Sequence, residues 1–434
     1  MRAERKKVQT VTWSQRYKIR NFVKSSLWLA PLASGVLAVI CHRLVWHLDI
    51  STQWQLLGYS QENARTVISA ISSAMLSFIV FLMSMIFIAL QIAVGQLTPR
   101  IIAFSFRNHV IKISLSIFTF TYMFSISALG RMDTHVSQLV VLLTIISTAA
   151  SIGIFLYFVD FMGKSLRPIS LCAKISENAI AAIEHRYPAL LTSNNSTIPK
   201  MSEHEWGSSV DTISNTMKSG TIMAIDTPGL VRIACNNNCM IRLIPQIGDF
   251  VANGDPLFCV YQDGGTVDQA ELYHCLVFGV ERAIEQDPGF AIRIIVDIAI
   301  KALSPAINDP TTSIACIDQL HTLLGTIGRR DLGDTVLRDS QGTPRFTHAL
   351  PDWEDFVHLA VSEINHYGAD SIQVTRRLRA MLTDLIDHLP EPRKDVIRTR
   401  LALLDQSTVR NFAELVEREL AMAGDYKGIG GARQ

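Results

Sequence analysis

Residues 67–94 read VISAISSAMLSFIVFLMSMIFIALQIAV, an apolar stretch without Asp, Glu, Lys, Arg or His. A helix needs about 20 mainly apolar residues to cross the hydrocarbon core of a bilayer, because each residue adds about 1.5 Å to its length. This stretch is long enough to cross a membrane. It predicts that the chain is an integral membrane protein.

Three further apolar stretches lie in the same part of the chain, at residues 26–46, 110–129 and 136–161. The segment before them, residues 1–25, is basic and polar, and no small-residue cleavage pattern follows the first apolar stretch, which favours a retained first helix. From residue 164 onwards, charged and apolar residues alternate as in a globular domain. The sequence therefore predicts an α-helical membrane domain with four transmembrane helices at residues 26–165, and a separate domain after it.

Lys and Arg are distributed unevenly between the loops, and cytoplasmic loops of membrane proteins carry the excess. Eight of them precede the first apolar stretch, at positions 2, 5, 6, 7, 16, 18, 20 and 24. The same side receives Arg100, Arg107, Lys112, Lys164 and Arg167, whereas the opposite side receives Arg65 and Arg131. We expect a multi-pass protein of the bacterial inner (cytoplasmic) membrane with both termini in the cytoplasm.

One helical face of the second apolar stretch is polar. Its members fall within an arc of about 80° at 100° per residue and are Ser69, Ser73, Ser77, Ser84 and Gln91. These side chains are pore-lining candidates, since hydroxyl groups can face water along the axis of an oligomer. Serine stripes also serve packing between helices, because small residues allow close approach. The residue types favour packing, and the pattern leaves both interpretations open.

The apolar stretches at 67–97, 113–130 and 136–159 contain no ionisable residue, which argues against an ion-coupled transporter. Four spans without an internal repeat make a poor pore in one copy, so conduction would need a homo-oligomer. After the second stretch, Gln96, Thr98, Pro99 and Arg100 are candidates for a gate or hinge. The alternative is an ordinary helix end, since Pro99 disfavours helix at Thr98.

The sequence predicts that the cytosolic domain begins with an amphipathic helix and a polar linker within residues 166–219. A small β module is expected to follow at 220–262. Strands are expected at 221–225, 230–234 and 240–244. The segment GDFVANGDPLF, residues 248–258, resembles the strand-turn-strand of barrel-sandwich modules such as lipoyl carriers. No lysine lies between Lys218 and Lys301, so a structural or oligomerising role is expected for this module.

A helical domain is expected at residues 263–424. Its predicted helices are 270–285, 290–303, one that begins at Pro310 and continues to residue 324, and four between residues 353 and 423. A Gly-rich tail, 425–434, is expected to be disordered. The polar turn with Asn308, Asp309, Thr311 and Thr312 is a candidate ligand site. It equally fits a capped connection, in which Asp309 precedes the first helical residue, Pro310.

Metal, cofactor and catalytic sites are not expected. Cys235 and Cys239 offer two thiolates, whereas a tetrahedral structural zinc site needs four ligands. The histidines His274, His321 and His348 have no evident catalytic partners, so the protein is not expected to be an enzyme. The formal net charge of +1 creates no general attraction for nucleic acid.

Several of these stretches together resemble one family. They are LQIAVGQLTPRII at 90–102, the GDFVANGDPLF turn, and EQDPGFAIRIIVDIAIKALSPAINDPTTSIACIDQL at 285–320, preceded by four spans. The chain is similar to the bacterial predicted membrane proteins built around domain of unknown function 2254. The resemblance implies a membrane protein of this architecture and brings no established activity or catalytic residues.

The combined observations predict an oligomeric, channel-like inner-membrane protein whose cytosolic domain is regulatory. The alternative is a membrane-anchored sensor or scaffold whose cytosolic domain binds a ligand or partner. The bilayer and further copies of the chain are the expected partners, and the ion or small-molecule ligand is not specified by the sequence.

Overall fold

A computed structural model describes residues 12–52, 58–100, 108–131, 137–165, 167–191, 211–262, 267–279, 287–333 and 336–430. The chain forms two units. We call Asn21–Ser170 the membrane unit, and Met1–Arg20 together with Leu171–Gln434 the C-terminal unit.

Four helices are long and apolar enough to cross a bilayer, which confirms the four predicted candidate spans. They are α2 (Leu29–Thr52), α3 (Gln61–Gln96), α4 (His109–Leu129) and α5 (Gln138–Ser165), and α1 (Trp13–Ser25) precedes them. The side chain of Ser60 accepts a hydrogen bond from Asn63 N and caps α3. With 36 residues, α3 is about 54 Å long, more than the roughly 30 Å of hydrocarbon in a bilayer.

Apolar side chains hold the membrane unit together in two clusters. In the first, Phe118 of α4 and Phe158 of α5 are fully buried beside Met75 of α3. In the second, Ala38 of α2 is fully buried near Phe124 of α4. Lipid gives no hydrophobic drive for helix association, so close packing of this kind stabilises the bundle.

The C-terminal unit is of mixed α and β structure, and its helices surround a buried centre. They are α6 (Pro168–Arg186), α7 (Thr227–Asn236), α8 (Gln269–His274), α9 (Pro288–Ala302), α10 (Pro310–Gly328), α11 (Trp353–Tyr367), α12 (Ile372–His388), α13 (Glu391–Asn411) and α14 (Leu415–Met422). Helix α9 is central, because Ile292, Ile295 and Ile298 are completely buried. Asp287 caps its first turn by accepting a hydrogen bond from Phe290 N at 3.1 Å.

The described strands form two sheets. They are β1 (Asp211–Ser214), β2 (Gly220–Ile225), β3 (Cys239–Leu243), β4 (Phe250–Val251), β5 (Pro256–Gln262), β6 (Leu276–Gly279), β7 (Leu337–Arg338) and β8 (Pro344–His348). One sheet has the order β1-β5-β3-β8-β7 and the other β4-β2-β6. Strands β3 and β8 pair in parallel, with Ile241 opposite Phe346, and the other pairs are antiparallel.

The barrel-sandwich expectation is not met over these described strands, because neither sheet closes into a barrel. The turn at 248–258 does join two strands, and Gly254 has the positive φ of +94° that such a turn requires. However, β4 and β5 belong to different sheets, so the turn connects the sheets. Strand β8, which arrives about 100 residues later in the sequence, extends the larger sheet.

Four secondary-structure predictions need correction. Residues 230–234 are helical within α7, where Asp226 caps the first turn and Pro228 follows. Residues 276–279 form β6 inside the predicted helix 270–285, of which residues 280–285 lie outside the described residues. Strand β1 lies in the predicted linker, and β7 and β8 lie in the predicted helical domain. Short β-branched and apolar runs fit both a helix and a strand, and the segments with which they pair decide which of the two forms.

The Gly-rich C-terminal segment folds against α12 over its described residues, 424–430, contrary to the predicted disorder. Asp425 is 1% exposed, and its carboxylate accepts hydrogen bonds from the backbone N–H groups of Lys427, Gly428 and Gly430. Arg376, which is 3% exposed, donates to Ala423 O and to Gly430 O at 3.0 and 2.9 Å. A buried carboxylate and a buried guanidinium therefore organise this loop.

Replacing Asp425 by Ala should release the loop, because three backbone N–H groups lose their acceptor. We expect faster amide hydrogen exchange at residues 426–430 of the detergent-solubilised protein, while exchange in α9 stays unchanged. Glu419→Ala, at an exposed carboxylate on α14, is the matched control. Unchanged exchange in Asp425→Ala would show that other contacts hold the loop.

Candidate functional site

The pore-lining candidates of α3 lie on a face that the described residues of the membrane unit leave uncovered. Each of them is exposed in the chain by itself: Ser69, Ser73, Ser77, Ser84 and Gln91. The opposite face of α3 packs into the bundle, where Ser72 is the buried serine, 6% exposed, beside Ile68 and Met75. Packing against the helices of the same chain therefore does not account for the stripe.

Two hydroxyl groups of this stripe, those of Ser77 and Ser84, already donate a hydrogen bond. Ser77 Oγ donates to Ser73 O at 3.1 Å, and Ser84 Oγ donates to Val80 O at 2.9 Å. A hydroxyl has one hydrogen and two lone pairs, so each oxygen keeps capacity as an acceptor. The stripe consequently presents oxygen acceptors on a helix that carries no charge between residues 67 and 97.

A second polar set, which the sequence analysis did not single out, is buried between α4 and α5. The hydroxyls of Thr121 and Ser151 lie 3.0 Å apart, and Ser125 Oγ donates to Thr121 O at 2.7 Å. All three residues are at most 1% exposed. Ser137, which precedes α5, and Thr144 and Ser151 on α5 recur at every seventh position. This spacing marks one helical face and was available in the sequence.

Helix α2 brings two ionisable residues to the buried side of the membrane unit. His42 is 1% exposed, with its ring edge-on to Phe124 at 5.8 Å, and its Nε2 has no hydrogen-bond partner among the described residues. Asp49, 2% exposed, accepts a hydrogen bond from Leu139 N at 3.4 Å. The two residues lie seven positions apart on one helical face. The three apolar stretches that contain no ionisable residue lie outside α2, so the sequence analysis did not identify this pair.

The gate or hinge candidates lie where α3 ends. Gln96 is the last helical residue, and the N–H of Leu97 bonds Ala93 O at 2.8 Å. Thr98 is buried, and its Oγ1 accepts from Arg100 N at 3.4 Å, while Pro99 and Arg100 are exposed. This geometry is that of a helix end followed by a turn. Residues 101–107 lie outside the described part of the chain.

The candidate ligand turn is organised by helix capping. Asp309 Oδ1 accepts from Thr312 N at 3.1 Å, and Oδ2 accepts from Thr312 Oγ1 at 2.5 Å. Asn308 has a φ of +48°, and its N–H bonds Ser304 O at 2.8 Å. Asn308 and Thr311 are exposed. Both oxygens of the Asp309 carboxylate are engaged by the cap, so the turn presents its remaining polar groups outward.

A cleft of about 640 Å³ lies beside this turn. Its polar lining includes Asp297, Lys301, Ser304, His366 and Asp370. Asp297 Oδ1 also accepts from Arg293 Nε at 2.7 Å. The cleft combines both signs of charge and is open to solvent, as befits a small polar ligand.

The cysteines show no metal cluster over the described residues. Burial raises the pKa of Cys239 to about 11, so this thiol stays protonated at neutral pH. Two cysteines far apart in sequence meet inside the C-terminal unit, where Cys172 Sγ and Cys316 Sγ lie 3.5 Å apart. The hydrogen bond to Cys172, followed by burial, raises the pKa of Cys316, so the Cys316 thiol stays protonated at neutral pH.

For two histidines the sequence suggested no partner, but the structure places a polar side chain within hydrogen-bond distance of each. His321 Nε2 lies 2.9 Å from Asp384 Oδ2, and Arg377 bonds Asp318 beside it. His348, 4% exposed, accepts a hydrogen bond through Nε2 from Arg186 Nη2. Because Arg186 can only donate, the proton of this imidazole lies on Nδ1, which is 3.3 Å from Ala349 O.

This buried pair makes the C-terminal unit sensitive to acid. Burial, and then the nearby Arg186, lower the pKa of His348 to about 4. An unfolded histidine titrates near 6.5, so the unfolded chain binds the proton first as the pH falls. The contribution of the neutral, buried His348 to the free energy of unfolding is complete above pH 6.5. It is lost progressively as the pH falls from about 6.5 to about 4.

We expect the free energy of unfolding to fall by about 3 kcal/mol over that window, since each pKa unit is worth about 1.4 kcal/mol. His348→Gln keeps an acceptor for Arg186 and should remove this part of the pH dependence. Thermal unfolding of the purified protein from pH 7.5 to 4 measures it, with His185→Gln, at an exposed histidine, as the control. Equal acid sensitivity in both variants would contradict the assignment.

Comparison with known proteins gives the same architecture. The predicted membrane protein family of domain of unknown function 2254 matches residues 24–384. An uncharacterized protein of Mycobacterium tuberculosis and one of Mycobacterium bovis are each 25% identical to the chain over 440 residues, which cover 94% of this chain and 81% of each relative. No solved structure matches the chain significantly. With most of its length matched, and with four helices able to span a bilayer, the chain belongs to the family of predicted membrane proteins built around domain of unknown function 2254.

Proposed function

We propose that the protein assembles in the bacterial inner membrane as a homo-oligomer in which the α3 helices of several copies surround a polar path. In this channel-like assembly the C-terminal unit lies in the cytoplasm and is regulatory. The partners are the bilayer and other copies of the chain, and neither nucleic acid nor a catalysed reaction is involved. The observation that carries the proposal is the outward position of the α3 stripe.

The exposed face of α3 has the spacing of a helix-helix seam. Ala70, Ser77, Ser84 and Gln91 recur at every seventh position, and the exposed Val80 and Phe87 lie between them. A seven-residue repeat keeps one side of a helix against a partner in a left-handed arrangement, and small residues at the seam allow close approach. A second copy of α3 is a suitable occupant of this face.

Lipid alone is a poor environment for the same face. The Gln91 amide is exposed, and an amide without a hydrogen-bond partner costs several kcal/mol in hydrocarbon. Water along an oligomer axis, or an amide of another copy, would satisfy it. The uncovered acceptors of Ser77 and Ser84 favour cations over anions in such a path.

Bulky apolar side chains in the stripe should block the path. Ser77→Leu and Ser84→Leu remove the acceptor oxygens and fill the seam. We expect each to reduce the single-channel conductance of the liposome-reconstituted protein by about tenfold or more, since a dewetted constriction closes a pore. Ala149→Leu, at an exposed small residue of α5, is the matched control. Silence of the well-folded, oligomeric wild-type protein in several salts would overturn the channel proposal.

Assembly can be tested separately from conduction. A cysteine at position 77 should cross-link between copies under mild oxidation in membranes, because equivalent residues at a symmetric seam lie near each other. Ala149→Cys controls for collision in the bilayer, and the parent chain controls for its seven native cysteines. Equal cross-linking at positions 77 and 149 would remove α3 from the interface.

A second candidate function rests on the cleft beside the 304–312 turn. Its mixed charges, contributed by Asp297, Lys301 and Asp370, suit a small polar ligand. In this alternative the protein is a membrane-anchored sensor or scaffold, and the four helices serve as the anchor. Cross-linked oligomers that conduct nothing would favour this function.

A further inference from the structure

Helix α1 has no acidic residue and two different faces. Its sequence, WSQRYKIRNFVKS, contains four cations, Arg16, Lys18, Arg20 and Lys24. At 100° per residue, Trp13, Ser14, Tyr17 and Asn21 share one face. Ile19, Phe22 and Val23 share the opposite one. The surroundings of these two faces differ.

The first face is packed against protein. Tyr17, 9% exposed, clusters with Ala224 of β2 and Val277 of β6, and Trp13 and Met223 pack at its edge. The rings of Trp13 and Tyr17 stack with 5.5 Å between their centroids. One side of the helix is therefore covered by protein.

The second face is apolar and uncovered. Ile19, Phe22 and Val23 are 58%, 55% and 53% exposed. Cations flank it on both sides, with Lys18 at one edge and Arg16 and Arg20 at the other on the helical projection. Long basic side chains beside an apolar strip can place their stems along the strip and their charges in water. This is the pattern of helices that lie in the headgroup layer of a membrane.

The position of α1 in the chain brings this face to a bilayer surface. The helix ends at Ser25, and the first spanning helix begins at Leu29, with Trp28, 56% exposed, between them. Lys112 Nζ, at the start of α4, donates to Lys24 O at 2.5 Å, so the last turn of α1 is held at the end of the spanning helices. Tryptophan is enriched at the interface between a membrane and water.

We propose that the outward face of α1 is a binding surface for anionic phospholipids. Ile19, Phe22 and Val23 enter the headgroup layer, and Arg16, Lys18 and Arg20 concentrate anionic headgroups around them. The absence of acidic residues from α1 and its continuity with a spanning helix favour this occupant over a second copy of the chain, whose α1 would bring the same positive charge.

A fluorophore on this face tests the proposal in the full chain. Val23→Cys is labelled with bimane in lipid nanodiscs, and the parent chain labelled in parallel gives the background from its own cysteines. Brominated phosphatidylglycerol or brominated phosphatidylcholine is then added at equal mole fraction in otherwise identical mixtures. We expect the anionic quencher to be about twofold more effective, because it is enriched at the basic helix.

The double variant Arg16→Gln/Lys18→Gln in the Val23→Cys chain should reduce the preference for the anionic quencher while quenching persists, because Arg20 and Lys24 remain. Arg410→Gln, at an exposed arginine of α13, is the matched control and should keep the preference. Equal quenching by both lipids in the unaltered helix would overturn anionic recognition. Absence of quenching by either lipid would overturn membrane contact, and a label shielded only at two copies per nanodisc would assign the face to a second copy.

Discussion

The hydrocarbon core of a bilayer offers no hydrogen-bond partner, and this constraint organises the membrane unit. Backbone groups are satisfied within helices, and several serine and threonine hydroxyls of α3, α4 and α5 donate to carbonyls one turn earlier, as Ser84 does to Val80 O. Where two such residues face each other, they also bond across the interface, as Thr121 and Ser151 do. Polar residues in these helices therefore stay compatible with lipid, and their position relative to neighbours decides their role.

The C-terminal unit buries charged and titratable side chains, which also need hydrogen-bond partners. Arg376 and Asp425 each bond backbone groups of the final loop, and His348 stays neutral while it accepts from Arg186. The partners of Arg376 and His348 come from distant parts of the chain, whereas Asp425 is bonded within its own loop. Such pairs fix the places where segments meet, because removal of one partner leaves the other unsatisfied in a low dielectric.

The sequence was sufficient where one segment determines its own structure. Apolar length predicted the four spanning helices, and Asp309 before Pro310 predicted the start of α10. It was insufficient where the partner is remote: β8 pairs with β3 across about 100 residues, and Asp425 needs its own loop and α12. The stripe of α3 was visible as a pattern, but only the packed bundle shows which way it faces. His42 was missed because α2 reads as an ordinary apolar span.

Two polar sets of this chain differ in their surroundings. Thr121, Ser125 and Ser151 are fully enclosed and bonded to one another or to nearby carbonyls, which is the packing arrangement. The α3 stripe lies outside that enclosure, and its acceptors have no counterpart within the described bundle. A path within one chain would have to pass the enclosed set, where Phe118 and Phe158 fill the adjacent space. A path between copies requires only that α3 helices meet, and the seven-residue spacing of their exposed faces supports that meeting.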